Sequence, residues 1–172
     1  MKAAMKPRLP LLAQRGLTML ELCIAIAILA VLGAIALPTL GARLDQQRLY
    51  GAAEALVADI NEARFEAARL GRAVHVVMDS GDNWCWAVAT LAACPCGQAQ
   101  ACELRSARPR DHSGVRLLQG QPLHLTASGR AEAPGSATFE SRRGSRLRVD
   151  LQALGRSRVC TLVGSVARYP AC

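Results

Sequence analysis

Arg15-Gly16-Leu17-Thr18-Met19-Leu20-Glu21, continued by the apolar run Leu22 to Leu37, decides how the chain is organised. The run holds 16 residues and no charge. With Leu17 as its start, the segment is 21 residues long and is interrupted only by Thr18 and Glu21. At about 1.5 Å per helical residue it covers roughly the 30 Å hydrocarbon core of a bilayer. An acid near the start of such a helix is costly in lipid and needs a partner. A secretory signal peptide ends in a small-residue cleavage site after its apolar core. Here Gly16 precedes the core, and Pro38 follows it. A simple signal anchor with Glu21 at the interface is the plain alternative.

This arrangement resembles the class III signal of type IV pilins and pseudopilins. In that family a short basic leader is cut after a Gly, the new N-terminus is methylated, and a Glu stands fifth in the mature chain. Gly16 matches the cleavage position, Leu17 the methylated residue and Glu21 the fifth mature residue. Leu17 departs from the commoner Phe. The resemblance implies a prepilin peptidase, a filament of major and minor pilins, and an inner-membrane stage before assembly. Glu21 would then compensate the positive mature N-terminus of a neighbouring subunit.

The net charge of +8 over 172 residues is unevenly placed. Lys2, Lys6, Arg8 and Arg15 give residues 1–16 a charge of +4, as a cytoplasmic flank requires. Residues 17–104 hold 5 Arg against 9 acids, and residues 105–172 hold 12 Arg against 4 acids. The mature chain is therefore acidic first and basic last. Cys23 lies in the membrane segment as an apolar filler. The other cysteines are Cys85, Cys94, Cys96, Cys102, Cys160 and Cys172. An even number beyond a membrane anchor points to disulfides in an oxidising compartment. Cys160 with Cys172 is the preferred pair, because it would tie down the C-terminal tail. Cys94 and Cys96 are too close to bridge each other easily, so each pairs elsewhere. The rest of the connectivity stays open. A metal site at Cys94, Cys96 and Cys102 is the weaker reading, since zinc favours C-x-x-C spacing.

After Pro38, Leu49, Ala53, Leu56, Val57, Ile60, Ala63, Ala67 and Leu70 recur at helical steps. Asp45, Arg48, Glu54, Asp59, Glu62, Glu66 and Arg69 are placed on the opposite, solvated face. Gly71 caps this amphipathic helix. The period then changes to strand. Residues 73–78 and 84–91 read as a hairpin across the turn 79–83. Trp84 and Trp86 share a face, as packing for the helix rather than a platform for bases. His75 receives no role. Residues 92–114 read as a disulfide-stapled loop. Short strands follow near 115–119, 122–126 and 136–141.

The last hairpin carries the functional reading. Residues 146–151 alternate strictly, residues 152–155 turn, and residues 156–163 return. Matching the apolar faces pairs Asp150 with Arg156 and Arg148 with Arg158. That puts Arg146, Arg148, Arg156 and Arg158 on one exposed face, with Arg142 and Arg143 just before it.

The fold class is α+β. A long N-terminal pilin helix, membrane-spanning and then amphipathic, packs on a small antiparallel β domain. The expected segments are a cleaved leader (1–16), a membrane and filament-core helix (17–37), an amphipathic helix (38–71) and a disulfide-containing β-rich domain (72–172). This layout is similar to the FimT/GspH family of minor pilins and pseudopilins. Leu125 to Arg130, Ala137-Thr138-Phe139 and Arg146 to Arg158 carry the likeness. In the FimT branch a Gly-Arg-x-Arg element is associated with DNA binding in natural transformation. Here it is Gly155-Arg156-Ser157-Arg158. The resemblance implies a competence pilin that binds double-stranded DNA without sequence preference. Arg156 and Arg158 lead, with Arg142, Arg143, Arg146 and Arg148 behind them. Guanidinium forks on phosphates give such binding independently of the resemblance. The alternatives are a structural minor pilin and a GspH-like pseudopilin of type II secretion, for which the arginine face serves solubility or an acidic neighbour. An enzyme reading finds no nucleophile–base pair, phosphate loop or carboxylate pair, and no cofactor. His75, His112 and His124 have no metal-like spacing. The expected location is the bacterial inner membrane, single-pass with a periplasmic C-terminal domain, and then the pilus or pseudopilus.

Overall fold

Thr18 begins the helix. Its Oγ1 accepts a hydrogen bond from the backbone N–H of Glu21 at 3.2 Å, and its carbonyl accepts one from Leu22 at 3.1 Å. Thr18 is thus the N-cap, three residues before an acid at the positive end of the helix dipole. The computed structural model describes residues 18–98, 101–152, 155–164 and 168–172. The leader, Gly16 and Leu17 lie outside them. Helix α1 (Met19–Leu70) has 52 residues and continues through Pro38, which therefore does not end it. A proline removes one intrahelical hydrogen bond, and the flanking turns carry the helix past it. The chain divides into two units, one ending at Thr39 and one starting at Leu40. Among the described residues of the first unit the large apolar side chains are exposed, and an 18-residue window of mean hydropathy 2.7 is long and apolar enough to cross a membrane.

The second unit holds the end of α1 and eight strands: β1 (Val74–Asp79), β2 (Cys85–Ala89), β3 (Glu103–Ala107), β4 (Val115–Gly120), β5 (Leu123–Leu125), β6 (Gly135–Ser141), β7 (Arg146–Leu151) and β8 (Ser157–Val163). They form two antiparallel sheets of order β3-β2-β1-β5 and β4-β6-β7-β8. β3 lies inside the stretch expected to be loop. Only Ala107 of its five residues is buried, so it has no apolar alternation for sequence reading to find.

One core joins the three layers. Leu49, Ala52, Ala53, Leu56, Ile60, Ala63 and Ala67 of α1 meet Val74, Val76, Trp86, Val88, Leu123 and Leu125 of the first sheet. Leu117, Phe139, Leu147, Val149 and Leu151 enter from the second. The four alanines are fully buried and leave room for the indoles. Trp84 and Trp86 stack at 5.3 Å, and Phe139 meets Trp86 edge-on at 5.5 Å. Asp59 is not on a solvated face. It is 5% exposed, accepts a hydrogen bond from Trp86 Nε1 at 2.7 Å, and ion-pairs with Arg105 Nε at 3.0 Å. Asp45 is also buried and accepts from the Arg143 backbone N–H at 3.3 Å. Helical spacing places both acids beside the apolar stripe, and tertiary partners make their burial affordable.

The cysteine-rich segment covers the outer face of the first sheet. Cys94 is bonded to Cys102 and Cys85 to Cys96. Val77, Ala87, Ala89 and Cys94 form a second small core beneath it. Cys160 is bonded to Cys172, and the C-terminal segment pairs with Thr161 at the edge of β8. Tyr169 Oη donates to Glu54 at 2.6 Å and Arg168 pairs with Glu54 at 3.0 Å, which fastens the tail to α1. Burial, and then the Glu54 carboxylate, push the Tyr169 phenol up to about 12.

Asp59→Ala leaves the Trp86 N–H buried and unpaired. We expect it to lower the unfolding free energy by about 1–3 kcal/mol in denaturant titration. Asp59→Asn, which retains an acceptor, should lose less.

Candidate nucleic-acid interface

The register of the last hairpin differs from the expected one by two residues. Asp150 lies opposite Arg158, Arg148 opposite Cys160, and Leu151 opposite Ser157. Gln152 N–H donates to Arg156 O at 3.0 Å, so β7 runs on by one residue and the turn is tighter. A two-residue slip leaves every side chain on its expected face, and apolar patterning cannot detect it. The outer face of the second sheet therefore carries Arg116, Glu140, Arg146, Arg148, Asp150 and Arg158 across four strands.

The expected arginine face separates by pairing. Glu140 takes Arg116 at 2.6 Å and Arg146 at 2.9 Å. Arg116 first, and then Arg146, hold the Glu140 carboxyl below the usual carboxylate range. Arg148 Nε lies 2.9 Å from Asp150 Oδ1, and its N–H does not point along the contact, so this is a charge pair rather than a hydrogen bond. Arg146 and Arg148 are thus engaged within the sheet rather than free. Arg156 and Arg158 are exposed, and among the described residues neither has an ion-pair or hydrogen-bond partner for its side chain.

Arg142 and Arg143 do not join them. They sit in the β6–β7 turn, at the other end of a six-residue strand, about 20 Å away at roughly 3.3 Å per residue. The Arg142 side chain lies against Gly114, and a Gly41 Cβ would be 3.3 Å from Arg143 Nη2. Proximity in sequence suggested one patch, and strand length makes it two.

Gly155 determines where Arg156 and Arg158 stand. Its φ is +79°, and its N–H donates to Gln152 O at 2.7 Å. A Cβ there would lie 2.7 Å from Arg64 Nε and 2.9 Å from Gly129 O. Arg64 Nε itself donates to Gly129 O at 3.0 Å. The β7–β8 turn, the turn 126–130 and α1 are therefore wedged together, with no room for a side chain. Arg130 and Arg156, each directly after one of these glycines, come to the same corner. Arg130 is exposed, and among the described residues its side chain has no ion pair. Apolar patterning assigns Arg64 and Arg130 no role. The shared Gly-Arg dipeptide at 129–130 and 155–156 was the available signal.

Trp84 and Trp86 are 1% and 0% exposed, and His112 stacks on Trp86 at 5.4 Å, so they offer no platform to bases. Burial lowers the pKa of His112. His75 and His124 face each other, with their Nδ1 atoms 2.7 Å apart. Burial first, and then the neighbouring His124, lower the pKa of His75. Glu21 is exposed in the first turn of α1.

The model of the family "Type II transport protein GspH" matches residues 52–155, from the second half of α1 to Gly155. The fold is similar to that of the Pseudomonas aeruginosa type IV minor pilin FimU, with a TM-score of 0.53 and 19% identity over 72% of this chain and 93% of that one. It is also similar to the minor pseudopilin EpsH of the Vibrio cholerae type 2 secretion system, with a TM-score of 0.50 and 18% identity over 66% of this chain and 97% of that one. Comparison with curated protein sequences finds no match. At these identities the solved structures speak for the fold alone.

Gly155→Ala forces a strained φ and a clash with a backbone carbonyl. It should cost about 1–3 kcal/mol of stability, measured by thermal or denaturant unfolding. The Glu140 pairs give a pH signature. A depressed carboxylate contributes stability above its unfolded pKa of about 4.3 and loses it as pH falls through the folded value. Glu140→Gln should lower stability at pH 7 and flatten the acid limb of a stability–pH curve.

Proposed function

This chain belongs to the GspH family, and from that premise we propose that it is a minor pilin that binds double-stranded DNA through Arg156 and Arg158. One observation supports this most. Among the C-terminal arginines, these two project from a turn locked by Gly155, and neither is in an ion pair among the described residues, Asp150 across the strand from Arg158 being paired with Arg148. Arg130 and Arg64 stand at the same corner and add positive charge. Guanidinium groups contact phosphates through forked hydrogen bonds that carry no sequence information. Among the described residues no helix is offered to the major groove, so binding is sequence-independent. It is weak for one subunit and strengthened where a filament presents several subunits. In this reading a prepilin peptidase cuts after Gly16, Leu17 is methylated, and Glu21 meets the N-terminus of a neighbour during assembly. The helix anchors the subunit in the inner membrane, with its β domain in the periplasm, until it joins the pilus. DNA uptake in natural transformation is the process such a subunit serves.

A second reading is a pseudopilin of type II secretion, or a structural minor pilin, without a nucleic-acid role. The internal pairing of Arg146 and Arg148 with Glu140 and Asp150 favours it, because it removes two charges from the expected face.

The test titrates mixed-sequence duplex DNA against the chain in detergent micelles at several salt concentrations. Arg156→Gln with Arg158→Gln should weaken binding and reduce the slope of log K against log salt by about two, one for each lost phosphate contact. The unfolding midpoint should stay unchanged. Equal affinity and slope in the double variant would sink the assignment and leave the second reading.

A further inference from the structure

The chain has three histidines, and pairing of two strands brings two of them together although 49 positions separate them. His75 of β1 and His124 of β5 are direct cross-strand partners. Val74, Val76, Leu123 and Leu125, their neighbours along the strands, face the core and are buried. Both imidazoles therefore stand on the outer face, half-exposed. Directly opposed residues share a face with their Cβ atoms about 5 Å apart, which suits two ligands of one ion. The rings meet at 4.9 Å and 75°, and the Nδ1 atoms converge to 2.7 Å. Glu132 is held beside them, because its backbone N–H donates to His124 O at 2.9 Å. Its carboxylate is near enough to act electrostatically on His75. Neither the DNA corner nor the core uses these groups.

We propose that His75 and His124 form a binding site for a divalent first-row transition ion such as Zn2+ or Cu2+, with water completing the shell and Glu132 as a nearby negative charge rather than a ligand. Two imidazoles are a donor pair for such ions, not for Ca2+ or Mg2+. Zinc–nitrogen bonds of about 2.0–2.1 Å at a tetrahedral angle place two nitrogens roughly 3.3 Å apart. The rings need to part by only about 0.6 Å, which small side-chain rotations supply. In the metal-free pair one Nδ1 carries a proton that the other accepts. On binding, that proton moves through solvent to Nε2 of the same ring, and the metal takes both Nδ1 lone pairs. Nothing is oxidised or reduced, and a neutral pair releases no net proton. The consequence is structural. β5 has three residues and is an edge strand hydrogen-bonded to β1 alone within its sheet. The ion clamps that edge to β1.

The experiment adds ZnCl2 to the full chain in detergent, with its disulfides formed. Imidazole 1H–15N spectra are recorded, and Co2+ serves as an absorbing substitute. The expected result is that His75 and His124 resonances move at saturation while His112 does not. Co2+ should give visible ligand-field bands that Zn2+ displaces, and Zn2+ should raise the unfolding temperature. His75→Gln and His124→Gln should each abolish the bands, and Glu132→Gln should weaken binding about tenfold. Two results would overturn the site: imidazole signals of His75 and His124 that stay still at saturating Zn2+, or Co2+ bands that persist in both histidine variants. If a variant misfolds, the wild-type spectra decide alone.

Discussion

The hydrogen bond from Trp86 to Asp59 is where the two halves of the β domain and the helix are made to agree. Two stacked indoles need space, and the fully buried Ala52, Ala53, Ala63 and Ala67 of α1 provide it. Burying an indole N–H without an acceptor is unfavourable, and Asp59 supplies that acceptor from the helix. Burying Asp59 in turn requires a cation, and Arg105 on β3 supplies it at the surface. A polar strand that sequence patterning misses thus exists partly to serve an acid that patterning places in water. The rest of the core packs around that chain of requirements.

The same logic of pairing sorts the basic C-terminal third. Formal charge treats its 12 arginines alike. The fold does not. Arg105, Arg116, Arg146, Arg148 and Arg168 are held by Asp59, Glu140, Asp150 and Glu54. These acids convert a large part of the positive charge into internal structure. Arg156 and Arg158 remain exposed on a turn whose position is set by a glycine that admits no side chain. A contact with an extended polyanion benefits from that rigidity, because less side-chain and loop freedom is lost on binding. Arg142 and Arg143 belong to another end of the domain, so a single ligand reaching both groups would have to span the length of β7.

Much of this was legible in the chain. The long helix, its buried stripe, the hairpin ends of β1, β2, β7 and β8, and the faces of the final strands follow from periods of 3.6 and 2. These periods are blind to three things. They cannot see an even slip, so patterning sets Arg158 opposite Arg148 rather than Asp150. They cannot see a strand with one residue buried, so β3 reads as loop. They cannot see which distant strands pair, so His75 and His124 looked isolated although they are cross-strand partners. The arginines of the expected site were all on exposed or half-exposed positions. Which of them lacked an acid was decided by Glu140 and Asp150, two residues whose role only the sheet register reveals.

The most direct measurement is arginine protection. The chain in micelles is treated with an arginine-selective dicarbonyl reagent with and without duplex DNA, and modification is read residue by residue by mass spectrometry. The account predicts that DNA shields Arg156, Arg158 and Arg130 while Arg142 and Arg143 keep reacting. Protection confined to Arg142 and Arg143, or no protection at any arginine under conditions where DNA is bound, would contradict it.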